Sequence, residues 1–373
     1  MNWTGGSRST GRWQTFEVMN QQARDRISAY LTELPRQEAA RSIQLCGSGA
    51  VADLEKKLSN FYGVRYALCV SNATTGLLTI AIALGLKGSE FITTPYTYGA
   101  SLAGWLLFDN LPVFADIDAG TLTLDPNSIR RRITRRTKAI LAVDIFGNPA
   151  DAPAIRKLAD EVGLWYVADA AQSFGAFRDG RPASALADAF VVSFTTGKPV
   201  FAGEGGAVLT DNRDLYEKLI WYSQHPHRQR RDISLQFDNE FGINGRIHPL
   251  AAIWANASFE ESLDSVKRRR IECFRMINVL NSTGLIEEID FKAKRIEPAF
   301  FRLSAAWKKK PQAAALLHEL QQSGFCTSLE DPPVRLIYQQ PAFLAQYHQL
   351  KKVSRCPTAE RQTRLRFCIA GRE

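Results

Sequence analysis

Two residues of opposite charge stand where chemistry is easiest to do. Asp169 follows the apolar run Trp165-Tyr166-Val167-Ala168, and Lys198 ends the turn Ser193-Phe194-Thr195-Thr196-Gly197-Lys198. A carboxylate at the end of a buried strand is costly unless it meets a cation or a strong donor. A lysine in a turn of small residues is partly desolvated, which lowers its pKa and makes it a nucleophile. The plain alternatives are a helix cap for Asp169 and an ordinary surface amine for Lys198.

Two further segments have the same setting. In Val70-Ser71-Asn72-Ala73-Thr74-Thr75-Gly76 a strand gives way to a helix through small residues. A helix N-terminus offers unpaired N–H groups to an anion, though Ser71, Asn72 or Thr74 can equally serve as an N-cap. Pro95-Tyr96-Thr97-Tyr98 follows another strand and offers a ring that can stack on a flat heterocycle or simply pack. Gln172 lies one helical turn beyond Asp169, within reach of the same pocket. An anion cradle, a stacking ring, a carboxylate able to keep a pyridine nitrogen protonated and an amine able to form a Schiff base are the parts of a pyridoxal 5'-phosphate (PLP) site. Their joint occurrence says more than any one of them.

These residues need a scaffold that brings several strand ends together. Short apolar runs at 66–70, 90–94, 111–115, 139–144, 165–168 and 190–194 alternate with helical patterns at 74–86, 98–108 and 151–162. That alternation predicts an α/β fold, a mainly parallel sheet in three layers with helices on both faces. Ligands of such sheets collect beyond the carboxyl ends of the strands. Residues 14–62 read as largely helical. Beyond residue 246 the alternation gives way to a long helix over 250–280 and a mixed segment. The expected division is a large domain over 1–248, with an N-terminal helical segment, and a smaller α+β domain over 249–373.

Composition narrows the classes. The chain has 373 residues, 45% hydrophobic and 23% charged, an ordinary globular balance. No apolar run approaches the roughly 20 residues of a membrane helix, and residues 1–12 lack a signal-peptide core. A cytoplasmic enzyme is expected. Six cysteines are scattered singly, without the pairing or histidine spacing of a zinc site, so no metal is expected. The net charge of +9 invites a nucleic-acid reading. The basic clusters, however, carry no interleaved aromatic residues, and they read better as solvated helix faces or an anionic small-molecule site. The segment from His225 to Arg231 reads as a basic loop, either a phosphate contact or exposed. A nicotinamide-dependent oxidoreductase would need a GxGxxG after the first strand, and none is present.

The motifs in their order resemble the DegT/DnrJ/EryC1/StrS aminotransferases, fold-type-I PLP enzymes that aminate nucleotide-linked keto-sugars and cyclitols. The resemblance rests on Ser71-Asn72-Ala73-Thr74-Thr75-Gly76, Pro95-Tyr96-Thr97-Tyr98, Asp144-Ile145-Phe146-Gly147-Asn148-Pro149-Ala150-Asp151, Asp169-Ala170-Ala171-Gln172, the lysine segment with Gly203-Glu204-Gly205-Gly206, and Gly242-Ile243-Asn244-Gly245-Arg246. It runs from about 47 to 252 and more weakly to 360. The chain ends sooner than such relatives usually do, which would shorten the smaller domain.

The resemblance implies Lys198 as Schiff-base lysine and proton shuttle, and Asp169 as partner of the pyridinium nitrogen. Gln172 would contact the cofactor on its phenolic-oxygen side, and Tyr98 would stack on the ring. Ala73, Thr74 and Ser193 would hold the phosphate. Asn244 would reach the phosphate in a neighbouring subunit, which implies a homodimer with shared sites. The implied activity is transfer of an amino group from glutamate or glutamine to the keto group of a sugar, nucleotide-sugar or cyclitol-like substrate. Relatives that act as dehydratases carry histidine at the lysine position. Lys198 therefore favours transamination; a sugar dehydratase or another PLP enzyme of the same fold is the alternative, and a non-enzymatic nucleic-acid-binding or regulatory protein the more distant one.

Overall fold

The computed structural model describes residues 21–33, 45–331, 334–347 and 355–371. Of the helix expected over 14–62, the parts at 14–20 and 34–44 lie outside the described residues. The described parts form α1 (Gln21–Glu33) and α2 (Ala50–Tyr62).

The sequence then alternates as expected: β1 (Tyr66–Val70), α3 (Ala73–Ala83), β2 (Glu90–Thr93), α4 (Ala100–Leu106), β3 (Leu111–Phe114), α5 (Pro126–Arg130), β4 (Thr137–Val143), α6 (Ala152–Val162) and β5 (Trp165–Asp169). A short ribbon, β6 (Phe177–Arg178) and β7 (Arg181–Pro182), precedes β8 (Ala189–Ser193) and β9 (Gly206–Thr210). The seven long strands form one sheet in the order β1-β9-β8-β5-β4-β2-β3. β3, β2, β4, β5 and β8 are parallel neighbours, and only β9 runs against β8 and β1. β9 is the strand the sequence reading lacked. Its apolar stretch is short and follows a glycine run that reads as turn.

Strand residues alternate between two cores. Cys69, Ile92, Ile140, Tyr166, Phe190 and Leu209 pack with Leu54 and Leu58 of α2 and Ile155 and Leu158 of α6. Leu68, Phe91, Leu141, Val167, Val191 and Val208 pack on the other face with Leu77 and Ile80 of α3 and Trp105 of α4. Burial on both faces explains why the strands read as unbroken apolar runs.

α7 (Arg213–Ser223) and α8 (Pro226–Ile233) lead to α9 (Pro249–Ser282), a helix of 34 residues. Ala252, Ala255 and Phe259 of α9 belong to the first core. Cys273, Met276 and Leu280, further along, join a separate cluster with Leu303, Trp307, Leu316 and Phe367. The remaining chain forms β10 (Ile296–Glu297), which pairs with β6, then β11 (Leu303–Ala306), α10 (Ala313–Gln322), β12 (Thr327–Glu330), α11 (Pro341–Gln346), α12 (Pro357–Leu365) and β13 (Arg366–Gly371). β11-β13-β12 is an antiparallel sheet.

Candidate active site

The topology brings the ends of β1, β8, β5 and β4 to one edge. β9 starts at that edge, so Gly206 pairs with both Val70 and Ser193. A Cβ on Gly206 would stand 2.7 Å from the Ala73 nitrogen and 2.8 Å from the Val192 oxygen. Only glycine lets this strand begin against the mouth of α3.

At that mouth Asn72, not Ser71 or Thr74, is the N-cap, its Oδ1 accepting the Thr75 N–H at 2.8 Å. The N–H groups of Ala73 and Thr74 precede the capped donor, where a helix favours an anion. Ser193 is buried at the end of β8, and its hydroxyl lies 2.7 Å from that of Thr195.

Asp169 is the last residue of β5 and is buried. Its Oδ2 accepts the Ser101 hydroxyl at 2.6 Å, and Oδ1 accepts the Ala171 N–H at 3.1 Å. The Ser101 and Thr97 hydroxyls lie 2.9 Å apart. Residues 170–176 form turns, not a helix. This corrects the helix-cap alternative for Asp169 and the helical step expected between Asp169 and Gln172: the backbone here is committed to the loop that packs on Asp144. Burial pushes the Asp169 carboxyl up, opposed by Ser101, Ala171 and the charge of Lys198.

Lys198 sits in the turn after β8, its N–H donating to the Thr195 carbonyl at 3.1 Å. The Nζ lies 4.1 Å from the centroid of the Phe301 ring. Burial pushes the amine down to about 8; Asp169 works against that shift and Arg302 adds to it. An amine near 8 has a substantial neutral fraction at physiological pH, as a nucleophile or base requires.

Gln172 is fixed by its carbonyl, which accepts the Phe146 N–H at 2.8 Å and leaves the amide NH2 end for another partner. Phe146 holds φ 58, a left-handed conformation rare for a bulky residue. Asp144 sets that turn. Its Oδ1 accepts the Ala150 N–H at 2.8 Å, and Oδ2 accepts the Ser173 and Ser184 hydroxyls at 2.7 and 3.1 Å. Its N–H donates to the Asp169 carbonyl at 3.0 Å. Burial raises the Asp144 carboxyl to about 6.

Two expected residues stand apart. Tyr98 is 71% exposed, and its backbone carbonyl accepts the Ser101 N–H at 3.1 Å. Asn244 is exposed, has φ 50, and accepts from Arg246. Its loop abuts the anion cradle through Gly245, whose carbonyl accepts the Ser71 N–H at 2.8 Å. The basic segment from His225 to Arg231 proves not to be a loop. It lies largely in α8, with Arg228 turned inward against Glu55.

The sequence reading missed Ser101, Phe301 and Arg302. Ser101 carried a signal, being a hydroxyl in the otherwise apolar α4 pattern three residues after Tyr98. Phe301 and Arg302 carried none, since they come from a segment without clear periodicity. The residues that are assembled fit PLP: an anion cradle, a buried carboxylate without a bound cation, and a partly desolvated amine at one sheet edge.

The fold and site define a class, the mainly parallel α/β fold of type-I PLP aminotransferases. The chain belongs to the DegT/DnrJ/EryC1/StrS aminotransferase family, whose model matches residues 32–369. It is 35% identical over 241 residues to a UDP-2-acetamido-2-deoxy-3-oxo-D-glucuronate aminotransferase of Pseudomonas aeruginosa, covering 64% of each chain. A dTDP-4-amino-4,6-dideoxy-D-glucose transaminase of Shigella dysenteriae is 35% identical over 218 residues, 58% of each chain. The matched part thus spans less than two thirds of these curated relatives. An aminotransferase structure from Psychrobacter cryohalolentis superposes with a TM-score of 0.82 over 96% of this chain and 93% of that one, at 23% identity. No helix among the described residues is long and apolar enough to cross a membrane.

Proposed function

We propose that this chain is a PLP-dependent aminotransferase that moves an amino group from glutamate or glutamine to a keto group of a nucleotide-linked sugar or a related cyclitol-like substrate. The observation that carries the reading is the convergence of Asp169 and Lys198 at adjacent strand ends. One is a buried carboxylate and the other an amine pushed down to about 8. Bound PLP supplies a protonated pyridine ring that takes up the electrons released when an amino acid loses its α-proton.

The chain's own residues do the rest. Asp169 holds the positive charge on the ring nitrogen, and Ser101 and Ala171 favour its ionised form against the burial that disfavours it. Lys198 carries the cofactor covalently between turnovers, then takes and returns the proton. Ala73, Thr74 and Ser193 receive the phosphate, and Gln172 offers its amide NH2 to the phenolic oxygen. Tyr98, exposed beside the site, would cover the open face of the ring once the cofactor is bound.

Asn244 serves the site of a second copy, so the working unit is a cytoplasmic homodimer. Support comes from the exposed Phe237, Phe241 and Ile243 around Asn244, an apolar face that a second copy would cover. Residues 1–248 are the cofactor-binding part in this reading, and 249–373 the smaller part that completes the substrate side. The two named relatives act on nucleotide-linked sugars, which supports the substrate class.

The test is an absorbance scan of the purified protein with PLP, before and after glutamate. We expect a band at the blue edge of the visible that moves to the ultraviolet with glutamate, and no such band for Lys198→Ala. A wild-type protein that takes up no PLP overturns the reading.

A further inference from the structure

We propose that Asp144 is a positioning residue of the lysine site: its buried carboxylate gathers the hydrogen bonds that hold the 144–150 turn, and that turn sets both the Gln172 amide and the Phe301 ring over Lys198. The inference rests on the aminotransferase reading of Lys198 and adds to it a residue that acts only through others.

Asp144 follows β4 and is buried. Its three donors come from three separate segments. The Ala150 N–H closes the turn itself, donating to Oδ1 at 2.8 Å. The Ser173 hydroxyl, from the loop after Asp169, donates to Oδ2 at 2.7 Å, and the Ser184 hydroxyl, from beyond β7, to the same oxygen at 3.1 Å. A carboxylate has acceptor sites for all three at once. The Asp144 N–H in turn donates to the Asp169 carbonyl at 3.0 Å, which ties the turn to the strand end that carries the site carboxylate.

The turn held in this way is strained. Phe146 has φ 58 and ψ 12, and Phe300, which lies against the turn, has φ 48. Left-handed conformations of bulky residues persist only where the surroundings over-determine them. The Phe146 N–H donates to the Gln172 side-chain carbonyl at 2.8 Å, and the Phe146 carbonyl accepts the Arg302 N–H at 3.2 Å. The Gly147 carbonyl accepts the Ala299 N–H at 2.9 Å, and a Cβ on Gly147 would stand 2.8 Å from the Phe301 nitrogen. Phe146 therefore orients Gln172 through its N–H, while its carbonyl and Gly147 seat the 299–302 segment. That segment places the Phe301 ring centroid 4.1 Å from the Lys198 Nζ.

The consequence is read at Lys198. Burial is the largest cause that lowers this amine to about 8; Asp169 opposes the shift and Arg302 adds to it. Without the Asp144 carboxylate, three buried donors lose their acceptor and the strained turn relaxes. Phe301 and Arg302 then move off together, because one segment carries both. Each change raises the amine toward its ordinary value. Asparagine at this position keeps the arrangement, since its carbonyl can accept from Ala150 and its amide can donate to the two serine hydroxyls. Geometry, not charge, is what Asp144 contributes to the site.

The test measures Lys198 in the whole chain before PLP is added. Trace acetic anhydride labels amines from neutral to alkaline pH, and mass spectrometry follows Lys198, with the exposed Lys309 as internal reference. We expect the wild-type Lys198 midpoint at about 8. Asp144→Ala should raise it by about one pH unit, and Asp144→Asn should leave it within about 0.3 units of wild type. A residue that serves stability alone leaves the midpoint of the folded molecules in place. Should the Ala variant fail to fold, Ser173→Ala decides instead, with an expected rise of about half a unit. With PLP bound, the band shift on adding glutamate should slow about tenfold for Ala and recover for Asn. The proposal is overturned by an unmoved midpoint in the deciding variant, by an Asn variant that shifts as far as Ala, or by an unslowed band shift in Ala. The labelling needs no cofactor, so failure of the aminotransferase reading shows separately, as a wild-type protein without a PLP band.

Discussion

The molecule buries charge in two ways, and the contrast separates scaffold from site. At α8 the Arg228 guanidinium, 1% exposed, donates to both Glu55 oxygens at 3.0 and 2.8 Å and to Asp232 at 3.0 Å. The same Glu55 accepts the Cys69 N–H at 2.8 Å, tying α8 and α2 to β1. Every charge there meets its opposite directly. At the strand ends, Asp169 has only a hydroxyl and one N–H as direct partners, and Lys198 faces an aromatic ring. Opposite charges are near enough to feel each other, yet neither is neutralised. The first arrangement holds elements in place, whereas the second keeps two groups reactive and leaves space for what completes them.

The sharpest way to break this contrast is Arg228→Met. Removing one partner of a buried ion pair leaves the other charge uncompensated, a loss of about 3–5 kcal/mol. We expect a loss of that size in denaturant unfolding, with PLP uptake per folded molecule unchanged. A loss below about 1 kcal/mol would mean that the triad is not the anchor its geometry describes.

Asp144 lies between the two extremes, since it is buried with three donors but no cation. Its folded pKa of about 6 exceeds the ordinary carboxyl value, so the folded state binds more protons between the two pKa values. Stability from this group is therefore present at low pH and declines as pH rises from about 4 through 6, by about 3 kcal/mol at most. Asp144→Asn removes that dependence. Relative to wild type, we expect the variant to gain about 1–3 kcal/mol on going from pH 4.5 to pH 7.5 in denaturant titrations. An identical pH slope in both proteins would place Asp144 with the compensated charges of α8.

Much of this arrangement was legible in the sequence. Asp169 ends one apolar run and Lys198 lies in the turn that follows another, and strand alternation alone sends such ends to one edge. The parallel sheet was readable because its strands, buried on both faces, are short apolar blocks between helical patterns. What was not legible depends on contacts distant in sequence. Arg228 sits in a run of basic residues that looks solvated, and its inward turn is decided by Glu55, far earlier in the chain. The roof over Lys198 comes from Phe301, brought in by a backbone docking on Phe146 that no local pattern encodes. β9 was lost because its three apolar residues follow Gly203-Glu204-Gly205-Gly206, where the glycine needed for close approach looks like the glycine of a turn.

Ser101 tests the finest part of the contrast, how far Asp169 is left uncompensated. Its hydroxyl is the shorter of the two hydrogen bonds to that carboxylate and holds the carboxyl pKa down against burial. Ser101→Ala removes a hydrogen bond to a charged group, about 1.5–3 kcal/mol in a buried setting. The Asp169 pKa then rises further, and less of the carboxylate is ionised to hold a positive charge on a ring nitrogen. We expect kcat to fall by about tenfold or somewhat more, and the acid limb of the pH–rate profile to move to higher pH. Ser101→Thr, which keeps the hydroxyl, should restore most of both. A residue that only packs would lower stability in either variant and leave the profile in place. A shifted profile for Ala with recovery for Thr therefore assigns Ser101 to the ionisation of Asp169, and an unshifted one returns it to the packing of α4.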